Sequence, residues 1–207
     1  MPMAQPVKPK GPRLSPLTRQ VVLYVVCLLP GALEIAQGMA GALGPNPIAE
    51  CVHAFGLDAF RFLLLSLVVT PLRNFAGVNL ILYRRPLGLV AFTYAAVHVL
   101  FYVGAMRHFD GHILWRDFTS RPFLIFGFLA FLILLVLALT STRRAIRALG
   151  RRWVPLHRFV YLATFLASVH YSLAFKTWHS EAFIYAVLAT ALLAMRLVKK
   201  PSGKKVI

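Results

Sequence analysis

Carboxylates are scarce: six Asp and Glu stand against 23 Lys and Arg among 207 residues, leaving a formal charge of +17. Cysteine is scarcer still, with Cys27 and Cys51 the two present. Two cysteines in different parts of the first two apolar segments and their edges exclude a disulfide framework and any cysteine-built zinc or iron–sulfur site. There is no Gly-x-Gly-x-x-Gly run, no Walker-type phosphate loop and no repeat with a period of 20 to 50 residues, which excludes the common nucleotide-binding and solenoid classes. Charge of both signs is thin, at 14% of residues, where soluble domains carry about a quarter. The basic excess does not point to nucleic acid, because the Lys and Arg residues fall between apolar runs and not on a polar face.

What the sequence has is apolar length. Hydrophobic residues make up 59% of it and the mean hydropathy is +0.71. Apolar stretches run at 21–40, 52–71, 86–106, 122–140, 155–175 and 182–198, each close to the roughly 20 residues that a helix needs to cross a bilayer. The expectation is an all-α, polytopic membrane helix bundle with about six transmembrane helices. A basic tail at 1–19, a membrane domain at 20–198 and a second basic tail at 199–207 complete the division. Pro30-Gly31 interrupts the first stretch, and Ala40-Gly41-Ala42 after a basic segment has some likeness to a signal-peptidase site.

Basic residues orient the bundle, since Lys and Arg in short loops are retained on the cytoplasmic side. With the N-terminus inside, seventeen Lys and Arg fall on cytoplasmic segments, from Lys8 and Arg19 through Arg84, Arg85 and Arg143 to Lys205. Four fall outside: Arg107, Arg116, Arg121 and Lys176. Both termini are therefore expected in the cytoplasm, with the 107–121 loop on the outer side.

Of seven histidines, His108, His112 and His179 fall in outer loops and His53 near the outer end of the second span. His98 lies 12 residues beyond Pro86, and His170 lies 15 beyond Pro155. At 1.5 Å per residue these are depths of about 18 and 22 Å. Both spans run outward, so the two imidazoles reach similar heights and can face each other. Imidazole in hydrocarbon is costly unless it is hydrogen-bonded or bound to metal, and two at one level suit axial ligation of a haem iron. Separate interhelical hydrogen bonds or a proton relay satisfy the same residues. Without a Cys-x-x-Cys-His run, a haem would be held non-covalently. His157 sits 13 residues before His170, about 20 Å lower on a continuous helix and about 140° around it. It cannot share one haem with His170, and it is expected to cap the helix, meet a haem carboxylate or line a flavin or quinone site in place of a second haem. Arg61 is the remaining costly group; Asp58, three residues earlier, and Glu34 on the first span offer it internal pairing, and a haem carboxylate is the alternative.

The run Arg84-Arg85-Pro86-Leu87-Gly88-Leu89 with Tyr94 and His98 resembles the MsrQ family. So do Leu139-Thr140-Ser141, the run Leu149-Gly150-Arg151-Arg152-Trp153-Val154-Pro155-Leu156-His157-Arg158, Tyr161 and His170-Tyr171. Asn46-Pro47, His53, Gly56, Arg61-Phe62-Leu63-Leu64-Leu65 and Thr70-Pro71-Leu72-Arg73 extend the likeness over about residues 46–176.

The resemblance implies a ferric-reductase-like transmembrane domain in the bacterial inner membrane that carries haem b and FMN. It implies electron transfer from the quinone pool or a cytoplasmic flavin reductase to MsrP, a periplasmic molybdopterin subunit that reduces oxidised methionines. His98, His157 and His170 match the family's haem-linked positions. In the wider oxidase superfamily two helices carry two histidines each, whereas here only the fifth span does so. Within the 207 residues there is no nicotinamide, flavin or molybdenum-binding domain, so a conduit that depends on partners is expected, in contact with membrane lipid. The alternatives are a stand-alone ferric reductase or quinone-linked cytochrome b, and a proton-coupled transporter or assembly factor.

Overall fold

The structure, a computed structural model, describes residues 15–175 and 180–196. Lys8, Lys10, Arg13, Lys176, His179, Lys199, Lys200, Lys204 and Lys205 lie outside the described residues, and so does most of each basic tail. Every regular element among the described residues is helical: α1 (Pro16–Met39), α2 (Pro47–Phe75), α3 (Ile81–Leu100), α4 (Gly111–Ser120), α5 (Phe123–Leu139), α6 (Arg143–Leu149), α7 (Trp153–His157), α8 (Val160–Ala174) and α9 (Ser180–Ala194). A π-helical turn, Phe101–Met106, extends α3, and a 3₁₀ turn, Gly150–Arg152, joins α6 to α7.

Helix starts follow local chemistry. Ser15 accepts the Thr18 N–H at 3.1 Å ahead of Pro16, and Asn46 accepts the Ala49 N–H at 3.3 Å ahead of Pro47. In both, a polar N-cap is followed by a proline whose missing N–H costs nothing in the first turn. Asp110 caps α4 by accepting the His112 and Ile113 N–H groups.

The expected break at Pro30-Gly31 does not occur, since α1 runs through it. An unbroken ladder would send the Gly31 N–H to the Cys27 carbonyl. Instead Gly31 donates to the Tyr94 hydroxyl oxygen at 2.9 Å, and Tyr94 donates to the Cys27 carbonyl at 2.8 Å. The phenol thus stands in for one rung of the helix beside a proline that cannot make its own. A Cβ at Gly31 would lie 3.0 Å from the Phe55 and Tyr94 rings, so this close approach uses the glycine.

Two helix boundaries depart from expectation. The third begins at Ile81, so Arg84 and Arg85 stand on the helix with Pro86 inside it. The fifth is not one helix from 155: α7 ends at His157, a tight turn carries the Arg158 and Phe159 N–H groups back to Pro155 and Leu156, and α8 begins at Val160. The continuous-helix count between His157 and His170 therefore fails.

The core lies where α2, α3 and α8 meet, around Leu63, Leu67, Val90, Ala91, Tyr94 and Ala163. Outer faces are apolar too, with Val25, Leu129, Val136, Phe165 and Ile184 exposed. A bundle that is apolar on its outside as well as its inside is built for hydrocarbon and not for water. By length and apolar composition three helices reach membrane-spanning size, Leu17–Met39, Pro47–Phe75 and Ile81–Met106. The pair α4 and α5, bent by 111°, makes a fourth if taken as one span, and α8 and α9 are shorter apolar helices.

Candidate functional site

His98 on α3 and His170 on α8 come together with ring centroids 6.3 Å apart. Each is held the same way. His98 Nδ1 is 2.7 Å from the Val52 carbonyl oxygen, and His170 Nδ1 is 2.8 Å from that of Phe123. A carbonyl only accepts, so each Nδ1 carries the proton and donates it, and each Nε2 keeps a free lone pair. This is how proteins orient metal-binding imidazoles.

The two holders share a pattern. Gly56 follows Val52 by four residues, and Gly127 follows Phe123 by four, so each glycine lies one helical turn from the carbonyl that takes the proton. A Cβ at Gly56 would stand 2.8 Å from His98 Nδ1, and one at Gly127 would stand 2.6 Å from His170 Nδ1. Each imidazole is thus seated against bare backbone of a neighbouring helix, α2 for His98 and α5 for His170. Gly56 was visible in the family resemblance. Gly127 was missed, and the four-residue spacing to Phe123 is no signal until the histidine that uses it is known.

Both rings line one cavity of about 500 Å³, within the usual range for ligand pockets. Its walls are mostly apolar. Among the described residues no group of three His, Cys, Asp or Glu side chains converges on a metal position. Two opposed imidazoles without a third protein donor suit a metal whose other ligands come with it, as in a porphyrin. His98 and His170 would hold such a metal through the Nε2 lone pairs that their Nδ1 hydrogen bonds leave free.

His157 lines a second cavity of about 380 Å³, together with Arg84, Arg85, Ser141, Trp153 and Arg158. The Trp153 ring stacks on it at 3.9 Å, and its Nε2 is 3.3 Å from Ser141 Oγ. Arg85 donates to the Ser141 carbonyl, and Trp153 Nε1 donates to that of Thr140 at 3.1 Å. Motif residues far apart in the sequence, Arg85, Thr140-Ser141 and Trp153 to His157, therefore meet in one place.

Arg61 takes the internal pair. Its guanidinium lies 3.0 Å from Asp58 and donates to the Tyr185 hydroxyl at 2.8 Å, and it lines neither cavity. His53 is exposed and lines the first cavity against the rings of Tyr171 and Phe175. His108 and His112 are exposed in the 107–121 segment.

Residues 55–168 match the family described as ferric reductase like transmembrane component. Relatives from Brucella ovis, Brucella suis and Brucella abortus, each called protein-methionine-sulfoxide reductase heme-binding subunit MsrQ, are 40% identical over 178 residues, which cover 86% of this chain and 81% of theirs. With that identity over most of its length, and with motif residues that converge on two cavities of one helical bundle, the chain belongs to the MsrQ family of ferric-reductase-like membrane proteins.

Proposed function

We propose that the chain holds a b-type haem between His98 and His170 and serves as the membrane electron-transfer subunit of a protein methionine sulfoxide reductase. The observation that carries this is the pair of imidazoles at 6.3 Å, each with Nδ1 committed to a carbonyl and Nε2 left free in one apolar cavity. A bound haem supplies reversible one-electron chemistry at its iron. The protein's part is to hold both imidazoles in the ligating tautomer and to keep water from the ring faces with Leu63, Ala130 and Leu134.

Six crossings of the bacterial inner membrane with both termini cytoplasmic fit the distribution of basic residues. In that arrangement the His98–His170 cavity lies in the outer half, suited to a periplasmic acceptor, the molybdopterin subunit MsrP. The second cavity, with His157, Arg84, Arg85 and Arg158, faces the electron source, a quinone or a cytoplasmic flavin reductase. Its arginines suit the phosphate of FMN. Alkaline phosphatase fused at the C-terminus should be inactive, whereas fusion within 107–121 should be active; the reverse would invert the topology.

The test of the haem is the absorption spectrum of the purified protein, oxidised and dithionite-reduced. His98→Ala and His170→Ala should each remove most of the low-spin signal, and full haem occupancy in both variants would overturn the assignment. Electron delivery to the purified molybdopterin subunit, in preference to ferric chelates, separates this role from that of a stand-alone ferric reductase.

A further inference from the structure

The His98–His170 cavity is unevenly lined. At the end of the bundle where α2 and α5 begin and α3 ends, it meets His53, Tyr102 and Arg121; deeper in, it meets Leu63, Ala95 and Leu134. Arg121 is the one Lys or Arg among its described lining residues. Its only ion-pair partner there is distant, Asp117 Oδ1 at 3.7 Å from its Nε.

Asp117 is held more closely by others. Arg107 Nε lies 2.7 Å from Asp117 Oδ2, and the Tyr102 hydroxyl donates to the same oxygen at 2.7 Å. One buried carboxylate is thus shared by two guanidiniums, and a unit of positive charge is left over. It falls to Arg121, whose side chain is 48% exposed against 21% for Arg107. Beside apolar walls, such a charge attracts an anion more strongly than it would in open water.

Arg121 is also well placed to report to the ligand pair. Its N–H donates to the Asp117 carbonyl at 2.9 Å, which fixes the corner where α4 turns through 111° into α5. Two residues further on, the Phe123 carbonyl holds His170. The residue that offers the charge and the carbonyl that orients the imidazole therefore belong to one corner.

We propose that Arg121 anchors the carboxylate side chains of the haem and sets which way round it enters, with carboxylates toward the α4–α5 corner and the apolar edge toward Leu63 and Leu134. The inference rests on the haem assignment made above and adds the residue that decides the orientation. Arg61, the other candidate for this contact, is taken by Asp58 and Tyr185. A guanidinium binds a carboxylate through two parallel N–H donors and a full positive charge; a lysine keeps the charge without the fork, and a glutamine has neither.

The experiment titrates haem-free protein, produced under haem limitation, with protohaem and with protohaem dimethyl ester, which keeps the ring and iron but lacks both charges. The wild-type chain should prefer the free acid. Arg121→Gln should cut that preference about tenfold, the scale of one charge-assisted hydrogen bond, while binding the ester as the wild type does. Arg121→Lys, which keeps the charge and the pairing with Asp117, should fall between. Equal weakening of both haems by Arg121→Gln would mean that the residue only supports the corner, and an unchanged preference would mean that the carboxylates lie elsewhere; either result overturns the proposal while leaving the haem assignment intact. Failure of wild-type protein to give a bis-histidine spectrum with either haem would remove both.

Discussion

Gly127 and His170 are matched so closely that a single methyl group on the glycine would stand 2.6 Å from the ring nitrogen that donates to Phe123. Alanine is the better helix former by about 1 kcal/mol, so Gly127→Ala does not weaken α5 through propensity. It displaces the imidazole instead. Gly127→Ala, and Gly56→Ala at the matching seat of His98, should each lose most of the bound haem while far-ultraviolet helix content stays at the wild-type level. Full haem occupancy in both variants would show that the seats do not set the ligand geometry.

His157 lines the second cavity, stacked on Trp153, and does not line the cavity of the other two histidines. His157→Ala should therefore keep the outer bis-histidine spectrum and slow haem reduction from the cytoplasmic side. The measurements are haem content, flavin content and reduction rate. Loss of the outer signal in this variant, with His170→Ala silent, would reverse the assignment.

Tyr94 is the rung that α1 lacks beside Pro30. Tyr94→Phe removes the hydroxyl that bridges the Gly31 N–H and the Cys27 carbonyl, and with it two buried hydrogen bonds that tie α1 to α3. Losing bonds of this kind costs about 1–3 kcal/mol. The thermal midpoint of the purified protein in detergent should fall accordingly, with the outer haem spectrum retained at low temperature. An unchanged midpoint would mean that α1 contributes little to the fold.

Burial works to raise the carboxyl pKa of Asp117, but the Tyr102 hydrogen bond and the charges of Arg107, Arg121 and Arg116 outweigh it and hold the group below the ordinary Asp value of 3.8. A lowered folded pKa gives stability that is complete above the unfolded value and lost as pH falls through the folded one. Asp117→Asn should therefore destabilise the protein at neutral pH, and its deficit should shrink on acidification below 3.8. Thermal midpoints of wild type and variant between pH 7 and pH 3 make the comparison. A deficit of constant size across that range would assign the effect to packing.

Much of the architecture was legible because hydrocarbon imposes a simple rule. A segment must satisfy its own backbone to enter it, so apolar length reads directly as helix, and the stretches at 21–40, 52–71 and 122–140 fall on α1, α2 and α5. The departures are local. Pro30 in α1 and Pro86 in α3 look like punctuation in the sequence, yet neither ends its helix; beside Pro30 the neighbouring rung is bridged by Tyr94, 63 residues away from Gly31. The π-helical turn after His98 leaves no mark in hydropathy, because Phe101–Met106 keeps an apolar pattern while changing the bonding, and the turn at Arg158–Phe159 carries no glycine or proline to announce it.

The sequence by itself determined that this chain is a helical membrane protein and that His98 and His170 lie within its apolar segments, because composition alone carries both. Counting residues did not set their relative height, since α3 begins at Ile81 and not at Pro86, and the turn at Arg158–Phe159 lies between Pro155 and His170. Only the tertiary structure decided that the two imidazoles share a cavity, that Val52 and Phe123 take their protons, that Gly56 and Gly127 make room for them, and that Asp58 and Tyr185 claim Arg61 while Asp117 is divided between Arg107 and Arg121. Depth along one helix is a property of that helix alone. Facing, proton donation and charge sharing depend on the rotation of each helix about its axis relative to its neighbours, and packing across the whole bundle sets that rotation.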